Sequence, residues 1–132
     1  MQDFDIDRRL ISLPDADHSF PRVMTLTGDE SNVCARLDVS PDLACFRGHF
    51  PSQPVLPGVV QLHWAVQVAQ ACFAFESVPR EIKRLKFKNI VVPPQELILT
   101  VTRRGPLEVQ FEFCSAATNN SEGRLLFDEK PA

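Results

Sequence analysis

The chain has 132 residues, of which 44% are hydrophobic and 23% are charged, as expected for one ordinary globular domain. Its 14 basic and 17 acidic side chains give a formal charge of −3 at pH 7. This argues against a protein that coats nucleic acid, because neutralising phosphates requires an excess of positive charge. No stretch is apolar for long enough to span a membrane, and the acidic start lacks the apolar core of a secretory signal, so we expect a cytoplasmic protein with neither a membrane nor a nucleic-acid partner.

The first half of the chain divides into an arm, a hairpin and a loop. Residues 1–20 are rich in aspartate and predict an acidic N-terminal arm, followed by a single domain over residues 21–130. Within that domain, the β-branched stretches 22–27 and 32–39 flank turn residues and predict a hairpin. Residues 40–57 contain four prolines and predict a long loop, a feature that is commonly functional in a small domain.

One long helix is predicted from Pro57 to about Phe75. Proline is well tolerated at the first position of a helix, so we expect Pro57 there. Apolar residues recur at three- and four-residue intervals, which predicts one stripe facing the core: Val59, Leu62, Val66, Ala69 and Phe73.

Strands follow the helix almost without interruption. They are predicted at 82–92, 97–103, 107–117 and 124–127, with breaks rich in proline, glycine and asparagine, of which 119–123 is the longest. One long helix among five or six strands predicts an α+β domain in which an antiparallel sheet wraps around a central helix. A doubly wound fold is disfavoured because crossover helices between the later strands are missing.

The cysteines and glycines predict no cofactor. The four cysteines, Cys34, Cys45, Cys72 and Cys114, form no C-x-x-C pair, and the chain has only three histidines, so we expect no metal site. In a reducing compartment the cysteines are expected to act as small hydrophobic residues. No glycine-rich phosphate loop is present, so nothing predicts a nucleotide.

The loop before the helix carries the most informative residue, His49. Prolines restrict this loop, so its imidazole can be held in one place at little entropic cost. Gly58 lacks a Cβ, which would let a ligand approach the N–H groups of the helix start, and these donors suit a carbonyl oxygen that gains negative charge. A base beside them suits removal of a proton α to a thioester, although a structural histidine remains the alternative that these residues leave open.

This stretch resembles the active-site loop and helix of the hotdog-fold β-hydroxyacyl-ACP dehydratases. The match comprises Gly48, His49, Phe50, Pro51, Pro54, Pro57 and Gly58, and the similarity extends over about residues 20–128. It implies a hotdog fold and dehydration of 3-hydroxyacyl thioesters carried by acyl carrier protein or CoA, without a metal or redox cofactor. It also implies a homodimer with shared active sites, in which His49 is catalytic and the substrate contacts are Gly48, Phe50, Pro57, Gly58, Val59, Trp64 and Gln67.

Position 63 departs from the family pattern. The family places Glu or Asp 14 residues after the motif histidine, whereas this chain has His63 there and no acidic residue from Leu43 to Phe75. Imidazole has a reference pKa of about 6.5 and therefore needs little tuning to donate a proton near neutrality. We predict that His49 removes the α proton and that protonated His63 donates to the departing hydroxyl. The alternative is a packed helix histidine with Gln67 as its hydrogen-bond neighbour.

Trp64 follows directly and has two interpretations. It either packs at the helix or subunit contact, or lines a tunnel for an acyl or aryl chain. The pairing of His63 with Trp64 is similar to the dehydratases of aryl-polyene biosynthesis.

A cluster of basic residues lies on the strand after the helix. Arg84, Lys86 and Lys88 are predicted to share one face of the strand, with Leu85 and Phe87 on the other. One interpretation is a solvated face that discourages aggregation, and the other is a landing site for an acidic acyl carrier protein.

Two further functions remain open at this stage. The first is a hotdog thioesterase, and the second is a non-catalytic protein that binds acyl thioesters or their carrier. The second is favoured by the absence of the family's helix carboxylate at His63.

Overall fold

The computed structural model describes residues 19–46, 54–116 and 118–128. The predicted acidic arm, residues 1–20, therefore lies outside the described residues except at its last two positions. The elements are β1 (Arg22–Gly28), β2 (Asn32–Val39), one turn of 3-10 helix (Ala44–Phe46), α1 (Gly58–Phe73), β3 (Glu81–Phe87), β4 (Gln95–Arg103), β5 (Glu108–Ser115) and β6 (Thr118–Leu126).

The six strands form one sheet in the order β1-β2-β4-β5-β6-β3, and every neighbouring pair is antiparallel. The helix α1 contacts the middle of this sheet, at β4, β5 and β6. Alternate residues of these strands face the helix and are fully buried, as at Leu99, Phe111 and Phe113. The predicted α+β architecture, an antiparallel sheet around one long helix, is confirmed.

The hairpin predicted at 22–39 is confirmed, and Asp29 fixes its turn. The Asp29 carboxylate accepts hydrogen bonds from the backbone N–H groups of Ser31 at 2.8 Å and Asn32 at 2.9 Å. These bonds stabilise the charged form and lower the pKa of the Asp29 carboxyl.

The helix begins one residue later than predicted, because Pro57 has extended geometry and flanks the helix instead of starting it. It ends at Phe73, where Ala74 takes the left-handed conformation with φ 60°. The predicted apolar stripe is wrong at its first member, because Val59 is 71% exposed. No helix within the described ranges is long and apolar enough to cross a membrane.

The predicted break at 119–123 is wrong, because these residues lie within β6. The chain reverses instead at about Ala116, which takes a positive φ of 51°. Asn120 and Ser121 are turn-forming in isolation, yet both are buried, and their side chains hydrogen-bond to Ser115 and to Gln61 of α1. These interior partners offset the cost of burying polar groups in a strand.

The predicted strand 82–92 is shorter in the structure, since β3 ends at Phe87. Residues beyond it are held by Asn120, whose backbone oxygen accepts hydrogen bonds from the N–H groups of Lys88 at 2.8 Å and Asn89 at 3.2 Å. The Asn120 side chain donates to the carbonyls of Asn89 and Ile90. Residues 88–90 are therefore held by the backbone and the side chain of one residue, Asn120, instead of by a continued strand ladder.

All four cysteines lie within the described residues and carry reduced thiols. Cys72 is buried as expected, whereas Cys34, Cys45 and Cys114 are half-buried. Burial raises the pKa of the Cys45 thiol, and burial together with nearby glutamates raises the pKa of Cys114. A raised thiol pKa disfavours the thiolate, so neither is an activated nucleophile.

Candidate active site

The loop that carries the family motif is described only at its two ends. Gly48, His49 and Phe50 lie outside the described residues. The loop is entered from the 3-10 turn, which ends at the nearly buried Phe46, and it continues at Pro54. The surroundings of the site are therefore built from α1, the segment before it and the strand β3.

The first turn of α1 presents two backbone donors, the N–H groups of Gly58 and Val59. The N–H groups of Val60 and Gln61 both donate to the carbonyl of Pro57, at 3.1 and 3.2 Å. Those of Gly58 and Val59 bond to no described residue, and no side chain caps the helix. With no acidic residue in the first turn, the positive end of the helix dipole is left uncompensated. Such a helix start suits an oxygen that gains negative charge.

The space beside Gly58 is filled by Phe87. A Cβ placed on Gly58 would lie 2.7–3.0 Å from three atoms of the Phe87 ring. The absence of a side chain at Gly58 therefore admits this ring, and not a ligand on that side as the sequence predicted. Phe87 remains 50% exposed, so it forms part of the surface next to the helix start.

His63 lies on the exposed side of α1, one turn beyond Val59. It makes no hydrogen bond to a described residue. The Oε1 atom of Gln67, one further turn along, is buried and has no hydrogen-bond partner among the described residues. Within one chain, His63 is therefore neither buried nor hydrogen-bonded to Gln67, among the residues that the structure describes.

Gln67 supplies a buried acceptor on the same side of α1. Its side chain is only 9% exposed, and its Oε1 is unsatisfied within the described part of the chain. Buried polar atoms without a partner are uncommon in folded proteins, because each costs about 1–3 kcal/mol. Val59, His63 and Gln67 thus form a line from an exposed apolar residue through an imidazole to a buried acceptor.

Trp64 is fully buried, in agreement with the packing interpretation. Its indole N–H donates to the carbonyl of Ser19 at 2.9 Å, and its ring meets Phe20 edge to face at 6.0 Å between centroids. Both contacts are within this chain, so Trp64 ties residues 19–20 to the helix.

The basic cluster on β3 is arranged differently from the prediction. Lys83 pairs with Arg124 and Lys86 with Glu122, so that Arg84 and Leu85 together face Gly123 in a β-bulge. Because cross-strand partners share a face, Lys83 and Lys86 lie on the same face of the sheet, away from α1. Arg84 lies in the bulge with φ 53°, so the predicted alternation through Arg84 is wrong.

Lys88 differs from the neighbouring basic residues because it forms an ion pair. Its Nζ lies 3.2 Å from Oε1 of Glu122. Lys83, Arg84 and Lys86 form no ion pair within the described residues. These three carry the uncompensated positive charge of the cluster.

An apolar surface borders the same strand. β3 is the last strand of the sheet, all seven of its residues are exposed, and its outer edge pairs with no described strand. Large apolar side chains exposed around it are Val55, Val59, Ile82, Leu85, Phe87, Ile90 and Val92. We call these seven residues the edge patch.

Sequence reasoning missed a polar contact inside the domain. Ser121 of β6 donates to Oε1 of Gln61 at 2.6 Å, and both side chains are buried. The only signal was a glutamine among the apolar residues of the predicted helix. The sequence around Ser121 gives no signal of this contact, because its neighbours are typical of a turn.

Comparisons with known proteins agree with this architecture. The family model that matches is the ApeI-like family, described as ApeI dehydratase, over residues 25–124. The 3-hydroxyacyl-[acyl-carrier-protein] dehydratase FabZ of Burkholderia thailandensis is 33% identical over 114 residues, which is 75% of this chain and 69% of that protein. The FabZ of Burkholderia mallei is 32% identical over 114 residues, covering 75% of this chain and 71% of that protein.

Solved structures show the same arrangement of strands and helix. The dehydratase heterocomplex ApeI:P from Xenorhabdus doucetiae matches with a TM-score of 0.73 at 28% identity, covering 80% of this chain and 96% of that chain. The dehydratase domain from the CurF module of curacin polyketide synthase matches with a TM-score of 0.66 at 13% identity, covering 90% of this chain and 46% of that one. The second similarity concerns the fold alone.

Proposed function

The chain belongs to the ApeI-like dehydratase family, and on that premise we propose that it dehydrates 3-hydroxyacyl thioesters to trans-2-enoyl thioesters in fatty-acid or polyene-type biosynthesis. The observation that carries the proposal is the start of α1, where the N–H groups of Gly58 and Val59 have no partner among the described residues and follow the loop that contains the Gly-His-Phe-Pro motif. This start can receive the thioester carbonyl oxygen as it becomes negative.

In the proposed reaction, neutral His49 accepts the proton from the α carbon. The electrons of that C–H bond form the C=C bond while the C–O bond to the 3-hydroxyl breaks. Protonated His63 of the partner subunit gives its proton to the departing hydroxyl, so that one water leaves. No step requires a metal or redox cofactor, and Gln67 offers to a donor on the substrate its Oε1, which has no partner in the described part of the chain.

We place the proposed active site between two copies of the chain. His63 is exposed within one chain, and a second copy that excludes water around it would strengthen its interaction with the departing hydroxyl. The edge patch offers a second copy an apolar surface, and the free edge of β3 offers it backbone hydrogen bonds. A homodimer of this kind would bring His63 of each copy next to the loop of the other.

The acyl chain is proposed to arrive on an acyl carrier protein. Lys83, Arg84 and Lys86 offer uncompensated positive charge to an acidic carrier, whereas Lys88 is already paired with Glu122. Charge reversal at Arg84 and Lys86 is expected to weaken carrier binding, and the loss should shrink as salt is added. Lys88→Glu is the matched control, and equal binding by all variants would leave only the solvated-face interpretation.

The proposal also extends to the type of acyl group on the substrate and to the cellular location of the protein. The pairing of His63 with Trp64 supports a substrate of the aryl-polyene type. We propose a cytoplasmic location, where acyl carrier protein is available.

The test is to mix the protein with a 3-hydroxyacyl acyl carrier protein and to follow the enoyl product by absorbance and mass spectrometry. Enoyl thioester that forms with the wild type and is lost in His49→Ala supports dehydration. Release of free acid and thiol would instead indicate a thioesterase. Carrier binding without either product would indicate a non-catalytic protein that binds acyl thioesters or their carrier, the alternative favoured by the absence of a helix carboxylate.

A further inference from the structure

The first turn of α1 is tied to the sheet by one buried polar side chain, that of Gln61. It is 3% exposed, and its Oε1 accepts a hydrogen bond of 2.6 Å from the hydroxyl of Ser121, which is 0% exposed. Ser121 lies in β6, so this bond fixes the helix start relative to the middle of the sheet.

The same side chain also reaches the segment that enters the helix. The Nε2 atom of Gln61 donates to the carbonyl of Leu56 at 3.4 Å. The N–H of Leu56 in turn donates to the carbonyl of Val91 at 2.8 Å. A continuous chain of hydrogen bonds therefore runs from Ser121 through Gln61 and Leu56 to Val91.

The neighbour of Ser121 anchors the far end of that chain. Asn120, 1% exposed, donates through Nδ2 to the carbonyls of Asn89 and Ile90 at 3.4 and 3.3 Å. Its Oδ1 accepts from Ser115 at 2.8 Å. Two consecutive residues of β6 thus hold both segments that border the start of α1.

The position of the helix start matters because Gly58 and Val59 lie there. Their N–H groups are free of described partners, and no side chain caps the helix. A hydrogen bond constrains direction as well as distance, whereas apolar contacts constrain mainly volume. Apolar residues at positions 61 and 121 would pack without a comparable constraint on the direction of these donors.

We propose that Gln61 and Ser121 are positioning residues, which aim the N–H groups of Gly58 and Val59 at the thioester carbonyl oxygen. This role rests on the proposed dehydration. The pair does not touch the substrate, and it acts through the orientation of the first helical turn. Misplacement of such donors by a fraction of an ångström costs mainly the rate of the chemical step.

The test uses Gln61→Leu/Ser121→Ala, in which both polar partners are removed together. Removing one partner leaves the other buried and unsatisfied, whereas replacing both leaves only the Leu56 carbonyl without its long 3.4 Å bond from Gln61, which costs little for folding. We expect the double variant to melt within about 3 °C of the wild type. Its KM should stay within about twofold, while kcat falls at least about tenfold.

A second measurement does not depend on turnover. Amide hydrogen exchange should become faster in a peptide covering residues 54–61, because the bond from Leu56 to Val91 loses its support. Gln70→Leu is the matched control: it removes another glutamine hydrogen bond of α1, that from Nε2 to the carbonyl of Ser77 at 2.9 Å, far from the helix start.

The outcomes separate this proposal from the proposed function. An inactive wild type would refute the proposed dehydration. In that case, unchanged amide exchange at residues 54–61 of the double variant would separately refute the positioning of the helix start. With an active wild type, an unchanged kcat in the double variant would overturn the positioning role. The positioning role would also be overturned if the loss of kcat matched the loss of folded protein. An equal fall of kcat in Gln70→Leu would overturn it as well.

Discussion

At the scale of single residues, the exposed imidazole of His63 is the most informative feature. His63 is exposed within its own chain and bonds to no described residue, so nothing in that chain holds the imidazole in place. Position 63 is where the family pattern has a carboxylate, and the nearest acidic residues in the sequence are Asp42 and Glu76. The proposed dehydration would therefore have to use the imidazole itself or an acid from another chain.

Replacing His63 distinguishes these two cases. His63→Ala should lower kcat by about 10²- to 10⁴-fold, the usual contribution of a general acid, with little change in KM. His63→Glu should retain much of the activity, because a carboxyl can donate from the same position. Both are measured as enoyl formation from a 3-hydroxyacyl acyl carrier protein. Full turnover by His63→Ala would show that the proton comes from elsewhere.

A second residue-scale prediction concerns Glu96 and acid. Arg36 donates to both carboxylate oxygens of Glu96, at 2.8 and 2.9 Å, and these bonds lower the pKa of the Glu96 carboxyl. A carboxyl whose pKa is lowered by folding stabilises the protein above its unfolded pKa, and that contribution is lost as the pH falls through the lowered pKa.

Glu96→Gln should therefore melt slightly below the wild type at neutral pH, and the two curves should converge in acid. The effect is small because the pair is exposed to solvent. Melting temperatures measured from neutral to strongly acidic pH check this, with the exposed Glu76→Gln as the control. A difference that persists unchanged in acid would contradict the ion-pair explanation.

At the scale of elements, the sequence predicts helices and strands whose residue pattern is periodic. It does not predict a strand that depends on one contact with a residue distant in the sequence. The hairpin and α1 follow from alternation, turn residues and helical spacing, all of which are local. Residues 119–123 were predicted as a break because Asn and Ser favour turns when exposed. In the fold Ser121 finds Gln61, 60 positions away, and nothing local in the sequence encodes that pairing.

The candidate site divides in the same way. Resemblance to the family identified Gly58 and Gln67 from the sequence, because a motif records its residues directly. The bulge at Arg84 was not predicted, since an inserted residue changes the pairing of β3 with β6 without changing its composition. The packing of Phe87 on Gly58 likewise depends on where β3 ends relative to the helix start.

Gly123 tests whether β6 is a packed strand at this point. A Cβ there would lie 2.8 and 3.1 Å from two atoms of the Phe111 ring and 3.3 Å from Leu85 Cδ1. Phe111 is fully buried, so its ring can yield only by displacing other core side chains, and Gly123→Ala should lower the free energy of unfolding by about 1–3 kcal/mol. Denaturant titration measures the change.

Gly105→Ala is the matched control, because a Cβ there meets no atom within 4 Å. It should be neutral or should stabilise the protein by up to about 1 kcal/mol through the unfolded state. If both alanine variants behave alike, residues 119–123 form an open turn and the strand assignment is wrong.

At the scale of the whole molecule, the sheet is unequal at its two ends. At its β3 end, the strand edge pairs with no described strand, the edge patch is exposed, and the start of α1 lies close by. A two-fold axis there would cover the apolar side chains and continue the sheet into a second copy. It would also join the histidine loop of one copy to His63 of the other, so that neither copy holds a complete site alone.

This arrangement predicts that two inactive variants restore activity to each other. In a mixed dimer of His49→Ala and His63→Ala, one site combines both mutations, and the other combines His49 of one chain with His63 of its partner. Random exchange makes half of the dimers mixed, so about one quarter of all sites should be intact. Turnover measured after the variants are unfolded and refolded together should approach that fraction, while each variant refolded alone stays inactive. Failure of the mixture to recover activity, with dimers present by sedimentation, would mean that both histidines of a site come from one chain.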